Sequence, residues 1–581
     1  MDNIRLILIM TLAFIGLLLY QAWQQDYGPQ SRPVVSTTST PGSIPATASQ
    51  LPSAPDGTPN TMEGAPPSVA TSPQQNLPMS AGNQLFNSAG RVQVNTDTLH
   101  VEIDLQGGDI RVADLLSYPV SSSLPDQPVQ LMNDQLPNVF VLQTGFLGQP
   151  GDPNSPNHQS KTPYTTTQNS YELAPGSDTL DVVLTWEAAD GGVQLQKIYH
   201  FQRGQYLVQL QHKVTNHSDK PWPARPYGQL QRTQIGEAGQ SSFIYTYLGG
   251  AISTPESNYQ KIDFGDIQEG GTHISYLDVS TNILPNVQEG WRNGWIAMLQ
   301  HYFVASLVPP AEQTWQYYSQ YLPTGTRYML GMFGPSQEVA AGASESFDLQ
   351  FYAGPKVQDK LLALSPGLEL TVDYGFLWFI AQPLFWLLKK LYEFLGNWGW
   401  SIIGITILIK LAFFHLSATS YRSMAKMRTL QPRLAQLKER YGDDRGALNQ
   451  AMMDMYKKEK INPLGGCLPV LVQIPVFIAL YWMLLESVEL RQAPFILWLT
   501  DLSIPDPYFI LPLLMGASML VQHRLNPAPL DPMQQKIMMA LPIVFTIFFA
   551  FFPAGLVLYW TVNNLISISQ QWYITRKIEA G

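Results

Sequence analysis

One cysteine in 581 residues, Cys467, leaves no partner for an internal disulfide. A large domain in an oxidising compartment then rests on burial alone, which a chain of this length allows. Charge is scarce too, at 13% Asp, Glu, Lys and Arg, and five apolar stretches (398–417, 465–485, 508–523, 537–553 and 555–573) contain no acid at all. Ion-coupled transporters normally carry acids within their spans and repeat one half of the fold, so both absences argue against that class. The histidines lack metal-ligand spacing: His212 and His217 would lie on opposite faces of a continuous strand, with no cysteine nearby. No nucleophile elbow, phosphate loop or acid pair at motif spacing is present, so neither an enzyme nor a bound cofactor is expected.

What remains is strongly zoned. Residues 1–27 hold LILIMTLAFIGLLLYQAW after Arg5 without a small-residue cleavage site, which predicts an uncleaved signal-anchor helix. Residues 28–83, rich in Pro, Ser, Thr, Ala and Gln, cannot bury a core and predict a flexible linker with a reach of about 40 Å. From 84 to 356 apolar residues alternate between turn signals, as in LHVEIDLQGGDIRVADLL (99–116), TLDVVLTWEAADGGVQLQKIYHF (179–201) and QYLVQLQHKV (205–214). That pattern predicts a large all-β sandwich. Tyr247, Tyr259 and Asp263 are available there to line a carbohydrate cleft, although ordinary loop roles are the plainer reading.

Residues 24–356 carry 14 basic against 28 acidic side chains, whereas 418–464 carry ten basic against five acidic. Basic loops stay on the cytoplasmic side. If DYGFLWFIAQPLFWLLKKLYEFL (373–395) crossed the bilayer, the basic loop would fall outside, so the 357–397 region is expected to lie as an amphipathic helix on the outer surface. The fold class is therefore a polytopic α-helical membrane protein of six transmembrane helices, with both termini cytoplasmic and the sandwich inserted between the first and second spans. The core is 398–581, with a cytoplasmic helical hairpin at 418–464 formed by 421–441, a turn at Gly442-Asp443-Asp444, and 445–460. Spans 508–523 and 537–553 reach only about 25 Å, short of a hydrocarbon core near 30 Å, and such spans thin the bilayer around them. Methionines such as Met515, Met519, Met538 and Met539 suit either gap filling or adaptable apolar binding.

Lys410 is the only formally charged residue of SIIGITILIKLAFFHL (401–416). A cation at membrane depth costs about 2.5–3.5 kcal/mol, so it marks a polar cavity, a partner or a pathway unless it snorkels to the interface. Thr406 shares its helical face, and the last span places Asn563, Ser567, Gln570 and Gln571 in one stripe, with Gln473, Ser518, Gln522 and Thr546 on other spans. Together they point to a shared hydrophilic groove, against the simpler role of hydrogen-bonding helices to each other. A Ser/Lys hydrolase fits poorly, because Ser401 and Ser417 are about two turns or more from Lys410. An unpaired cation in such a groove attracts a transient anion, including a carboxylate on a passing polypeptide. In the hairpin, Tyr421, Arg422, Lys426, Arg428, Arg433 and Lys438 are candidates for contact with ribosomal RNA phosphates, a nascent chain or anionic membrane lipids.

SMAKMRTLQP (423–432), NPLGGCLPVLVQIPVF (462–477), SVELRQAPF (487–495), DPMQQKIM (531–538) and FPAGLVLYW (552–560) resemble the YidC membrane protein insertases of gammaproteobacteria. The resemblance implies a bacterial inner-membrane protein whose groove, open to cytoplasm and lipid, receives nascent hydrophobic segments and releases them sideways. It also implies action alone or with the Sec translocon and its SecDF components, and an auxiliary periplasmic sandwich. By resemblance Lys410 and Thr406 are groove positions, and Tyr559, Trp560, Ile474 and Phe477 are substrate contacts. The family's usual groove cation is arginine; lysine keeps the charge but not the planar fork. Trp560 stands where a second tyrosine is common, and few residues follow Arg576-Lys577, so a basic ribosome-binding tail is not expected. The alternatives are a groove-based transporter or lipid-handling protein, and a membrane-anchored sugar-binding module.

Overall fold

The described strands from Arg91 to Pro355 form two large packed sheets and a two-stranded one, Trp222–Ala224 with Gln337–Val339; central strands such as Phe140–Phe146 and Pro226–Thr233 are buried throughout, while others alternate. The structure, a computed structural model, describes residues 86, 88–147, 156–158, 160, 162–236, 246–270, 275–276, 290–442, 444–459, 468–526 and 532–579. The expected signal anchor (1–27) and linker (28–83) lie outside the described residues.

The first sheet runs from Ser275–Tyr276 through Gln316–Leu322, Arg327–Phe333, Pro226–Thr233, Phe140–Phe146, Asp109–Ser121, Leu99–Asp104 and Arg91–Asn95 to Ser170–Glu172, with Leu124–Met132 paired to Asp109–Ser121. The second runs from Gln260–Ile262 through Gly249–Ile252, Ile296–Leu299, Phe303–Val308, Ser344–Pro355, Leu207–Asn216 and Val193–Gln202 to Thr179–Glu187. All three hairpin candidates are present as antiparallel pairs. Gly107 and Gly108 turn the first with φ of +82° and +63°, and a Cβ on Gly107 would fall 2.6 Å from His158 Cα. Val193–Gln202 buries every second residue, from Val193 to Phe201, as a half-buried strand should. One of these is Lys197, whose ammonium donates to Gly107 O at 2.9 Å and Thr144 O at 3.1 Å.

Tyr247, Tyr259 and Asp263 have structural work. The Tyr247 hydroxyl donates to Gly250 O at 2.8 Å, Tyr259 stacks against Trp295, and Asp263 caps α1 (Phe264–Glu269) in a reciprocal capping box with Asp266.

After the sandwich come α2 (Gln358–Leu364), α3 (Trp378–Leu395), α4 (Trp398–Ala412), α5 (Phe414–Thr429), α6 (Gln431–Tyr441), α7 (Arg445–Lys458), α8 (Leu468–Glu486), α9 (Ile510–Leu525), α10 (Pro532–Phe549) and α11 (Ala554–Glu579). Helix α3 buries Ala381, Phe385 and Leu388 but leaves Trp378, Phe379, Trp386 and Phe394 exposed, a facial split suited to an interface. The buried faces of α3, α4, α8, α9, α10 and α11 converge on one apolar core.

Two expected helices are divided. The 398–417 stretch breaks at Phe413, where α4 and α5 meet at a 67° bend. The 421–441 stretch breaks at Leu430, because Pro432 in the first turn of α6 has no N–H for the preceding turn. Among the described residues no single helix is long and apolar enough to cross a membrane; the bent α4–α5 pair meets that test only jointly.

Sandwich and helices are joined by specific contacts. Lys356 pairs with Glu486 at 3.3 Å, both buried, and also donates to Thr371 O. Arg491 donates to Pro119 O at 2.7 Å and Val120 O at 3.1 Å, and Gln492 donates to Pro119 O at 2.8 Å. His301 donates to Leu485 O at 3.0 Å; burial and the Lys356 charge push its pKa down to about 3, so it stays neutral. Val488, between α8 and α9, packs in the sandwich core itself.

Candidate functional site

Asn397 starts α4 by accepting from Trp400 N–H, and Lys410 falls in the helix's last turn, just before the bend. Its side chain is 7% exposed. The ammonium donates to Ser567 Oγ on α11 at 2.8 Å and, more weakly, to Gln473 Oε1 on α8 at 3.4 Å. Gln473 Nε2 in turn donates to Asn563 Oδ1 at 2.6 Å, and Ser567 Oγ donates to Asn563 O at 2.7 Å. Lys410, Gln473, Asn563 and Ser567 thus form one connected network across three helices. Its acceptors are neutral, so the positive charge is solvated but not cancelled.

Thr406 is buried on the same face of α4, but its hydroxyl donates back to Ile402 O at 2.6 Å. Gln570 donates to Phe414 O at 3.3 Å, across from the bend. Gln571 points elsewhere, donating to Asn526 Oδ1 at 2.9 Å. A second polar contact, Asn564 Nδ2 to Ser518 Oγ at 3.1 Å, ties α11 to α9. Sequence spacing had marked Ser518 but not Asn564, which lies about 100° around the helix from Asn563. Thr546 donates within its own helix to Pro542 O at 2.7 Å.

Three of the four residues expected to contact substrate, Phe477, Tyr559 and Trp560, form an aromatic group beside the network. Phe477 meets Trp560 edge-on at 4.4 Å between centroids and Tyr559 at 6.1 Å, and Trp560 also packs on Phe549. Ile474, next to Gln473, is 44% exposed, whereas Tyr559 is 1% exposed. Trp560 and Phe477 lie between these extremes.

The hairpin candidates are spread over two helices. Arg422, Lys426 and Arg428 on α5, with Arg433 and Lys438 on α6, are exposed, and Arg433 pairs with Glu459 at 2.9 Å. Tyr421 is turned inward, packed with Ala418 and Ile574 between α5 and α11.

Two family models match the chain: the YidC periplasmic domain over residues 91–387 and the 60Kd inner membrane protein over residues 390–580. The chain is 48% identical to a membrane protein insertase YidC of Methylococcus capsulatus, over 100% of this chain and 99% of that protein. It is likewise 48% identical to the YidC insertase of Thioalkalivibrio sulfidiphilus, with the same coverage. A crystal structure of an active YidC insertase, with its first transmembrane domain resolved, aligns over 84% of this chain and 93% of that one, at 16% identity and a TM-score of 0.37.

Proposed function

Because the chain belongs to the YidC family of membrane protein insertases, we propose that its helical core is a non-enzymatic insertase in the bacterial inner membrane. The reading is of six spans with both termini cytoplasmic and the β-sandwich periplasmic, α3 lying on the outer surface. Nascent hydrophobic segments enter a cytoplasm-facing hydrophilic groove at Lys410, Gln473, Asn563 and Ser567, with Thr406 in its wall. They then leave sideways into lipid past Ile474, Phe477, Tyr559 and Trp560.

The observation that carries this reading is the neutral solvation of Lys410: its ammonium is held by a hydroxyl and an amide from two other helices. A cation so held keeps its charge available to a passing carboxylate. The groove lowers the cost of taking a short, often acidic, segment partway across a locally thinned bilayer, while the apolar segment partitions into lipid. The membrane potential acts on each translocated charge with about 2.3 kcal/mol per 100 mV. No nucleotide is required.

Partners proposed beyond the nascent chain are the Sec translocon with its SecDF components, membrane lipids, and the ribosome through the exposed Arg422, Lys426, Arg428, Arg433 and Lys438, with Tyr421 behind them. The test is purified protein alone in liposomes, offered a single-span substrate with an acidic translocated tail. Insertion is expected. Solute uptake without insertion would replace the reading with a groove-based transporter.

A further inference from the structure

The bend between α4 and α5 does more than redirect the chain. At the elbow α5 swings across α11 and leaves a lateral notch of about 460 Å³ whose walls are mainly apolar, with Leu411 and Phe414 on one side and Tyr573 on the other. Leu411 and Tyr573 are each 62% exposed and Phe414 is 46% exposed, so these walls are unpaired with protein. Arg422 and Lys577 line the same notch, each exposed. Lys410 closes its inner end, its ammonium turned to Ser567 and Gln473. No acidic side chain is among the lining residues.

We propose that this notch binds an anionic phospholipid, its acyl chain along Leu411, Phe414 and Tyr573 and its phosphate between Arg422 and Lys577. The occupant follows from the two halves of the site. Exposed apolar walls reject a free inorganic or sugar phosphate, which gains nothing from them. Two cations from different helices, with no carboxylate among the described lining residues, favour a negative headgroup over a zwitterionic one. Cations beside an apolar surface are the arrangement that holds an amphiphile at the cytoplasmic boundary of a bilayer. The notch shares Lys410 with the proposed groove and Arg422 with the proposed ribosome contact, but its ligand is a resident lipid and not a client, and it would tie the α4–α5 elbow to α11.

The test is native mass spectrometry of the full chain in neutral detergent with equal amounts of phosphatidylglycerol and phosphatidylcholine of identical acyl chains. Phosphatidylglycerol should be retained about tenfold more than phosphatidylcholine, and excess glycerol phosphate should not displace it. The double variant Arg422→Gln, Lys577→Gln should lose the preference. Ser569→Trp, which narrows the notch at an exposed position and keeps both charges, should lose retention of either lipid. Equal retention of the two lipids by the unaltered chain, displacement by glycerol phosphate, or an unchanged preference in both variants would each overturn the proposal. Capture of an acidic client segment by a photocrosslinker at position 569, with lipid retention unaltered by Ser569→Trp, would overturn it in favour of a client surface.

Discussion

Lys410 is held by two neutral acceptors, and under the proposed insertase reading its requirement is a positive charge that an incoming anion can reach. Arginine meets that requirement, so Lys410→Arg should insert acidic-tailed substrates at close to the unaltered rate. Lys410→Ala should slow acidic tails most; equal slowing of acidic and neutral tails, read by protease protection in liposomes, would remove the charge-receptor role. Ser567→Ala deletes the nearer acceptor and should cost about 1 kcal/mol of helix-bundle stability, measured by unfolding in mixed micelles. Much of this network was legible in the sequence, because Lys410 stands alone in an apolar run and Asn563 and Ser567 are one turn apart. Two candidates diverge for plain reasons. Thr406 is β-branched in a helix and satisfies its hydroxyl on Ile402 O, while Gln571, eight residues past Asn563, has rotated about 80° towards Asn526.

At the scale of elements, helix partnership depends on close approach that periodicity does not reveal. Gly516 on α9 faces Thr546 on α10 so tightly that a Cβ would fall 1.9 Å from Thr546 Oγ1. Gly516→Ala should therefore cost about 1–3 kcal/mol, and adding Thr546→Ala should recover part of the loss, as a double-mutant cycle in mixed micelles would record. The 67° bend after Ala412 was not legible either. Neither proline nor glycine marks Phe413, and Gln570 of α11 reaches the carbonyl of the adjoining Phe414 from 156 positions away. The break at Leu430, by contrast, carries its own sign in Pro432.

For the whole molecule the informative region is where sandwich meets helices. Its partners are distant in sequence, 130 positions for Lys356 with Glu486 and 372 for Arg491 with Pro119, so no local pattern announces them. Arg491→Ala should loosen the Asp109–Ser121 strand end, which then keeps the Gln492 bond to Pro119 O but not those from Arg491, raising amide hydrogen exchange there about tenfold. Glu489 lies in the same region, facing Lys389, Asp359, Tyr118 and Tyr374. Burial, more than any neighbour, pushes its pKa up to about 7 from an ordinary 4.5. Between those values the folded chain holds a proton that the unfolded chain has released, so stability falls as pH rises from about 4.5 to 7 and levels off above. Glu489→Gln should flatten that part of the profile and raise the melting temperature at pH 8 by roughly 2–4 °C. An unchanged slope would show that another group titrates there.

The distance along the chain between Lys410 and Ser567 also sets a clock. Synthesis runs from one to the other across 157 positions, and at about 5–20 residues per second the lysine emerges roughly 8–30 s before the hydroxyl that will hold it exists. Until Gln473 is made, 63 positions on, the growing protein has a cation in an apolar segment with neither of its final acceptors, held only by water, lipid phosphate or an earlier-made molecule. Its own birth therefore poses the difficulty that its finished groove is read as solving for others.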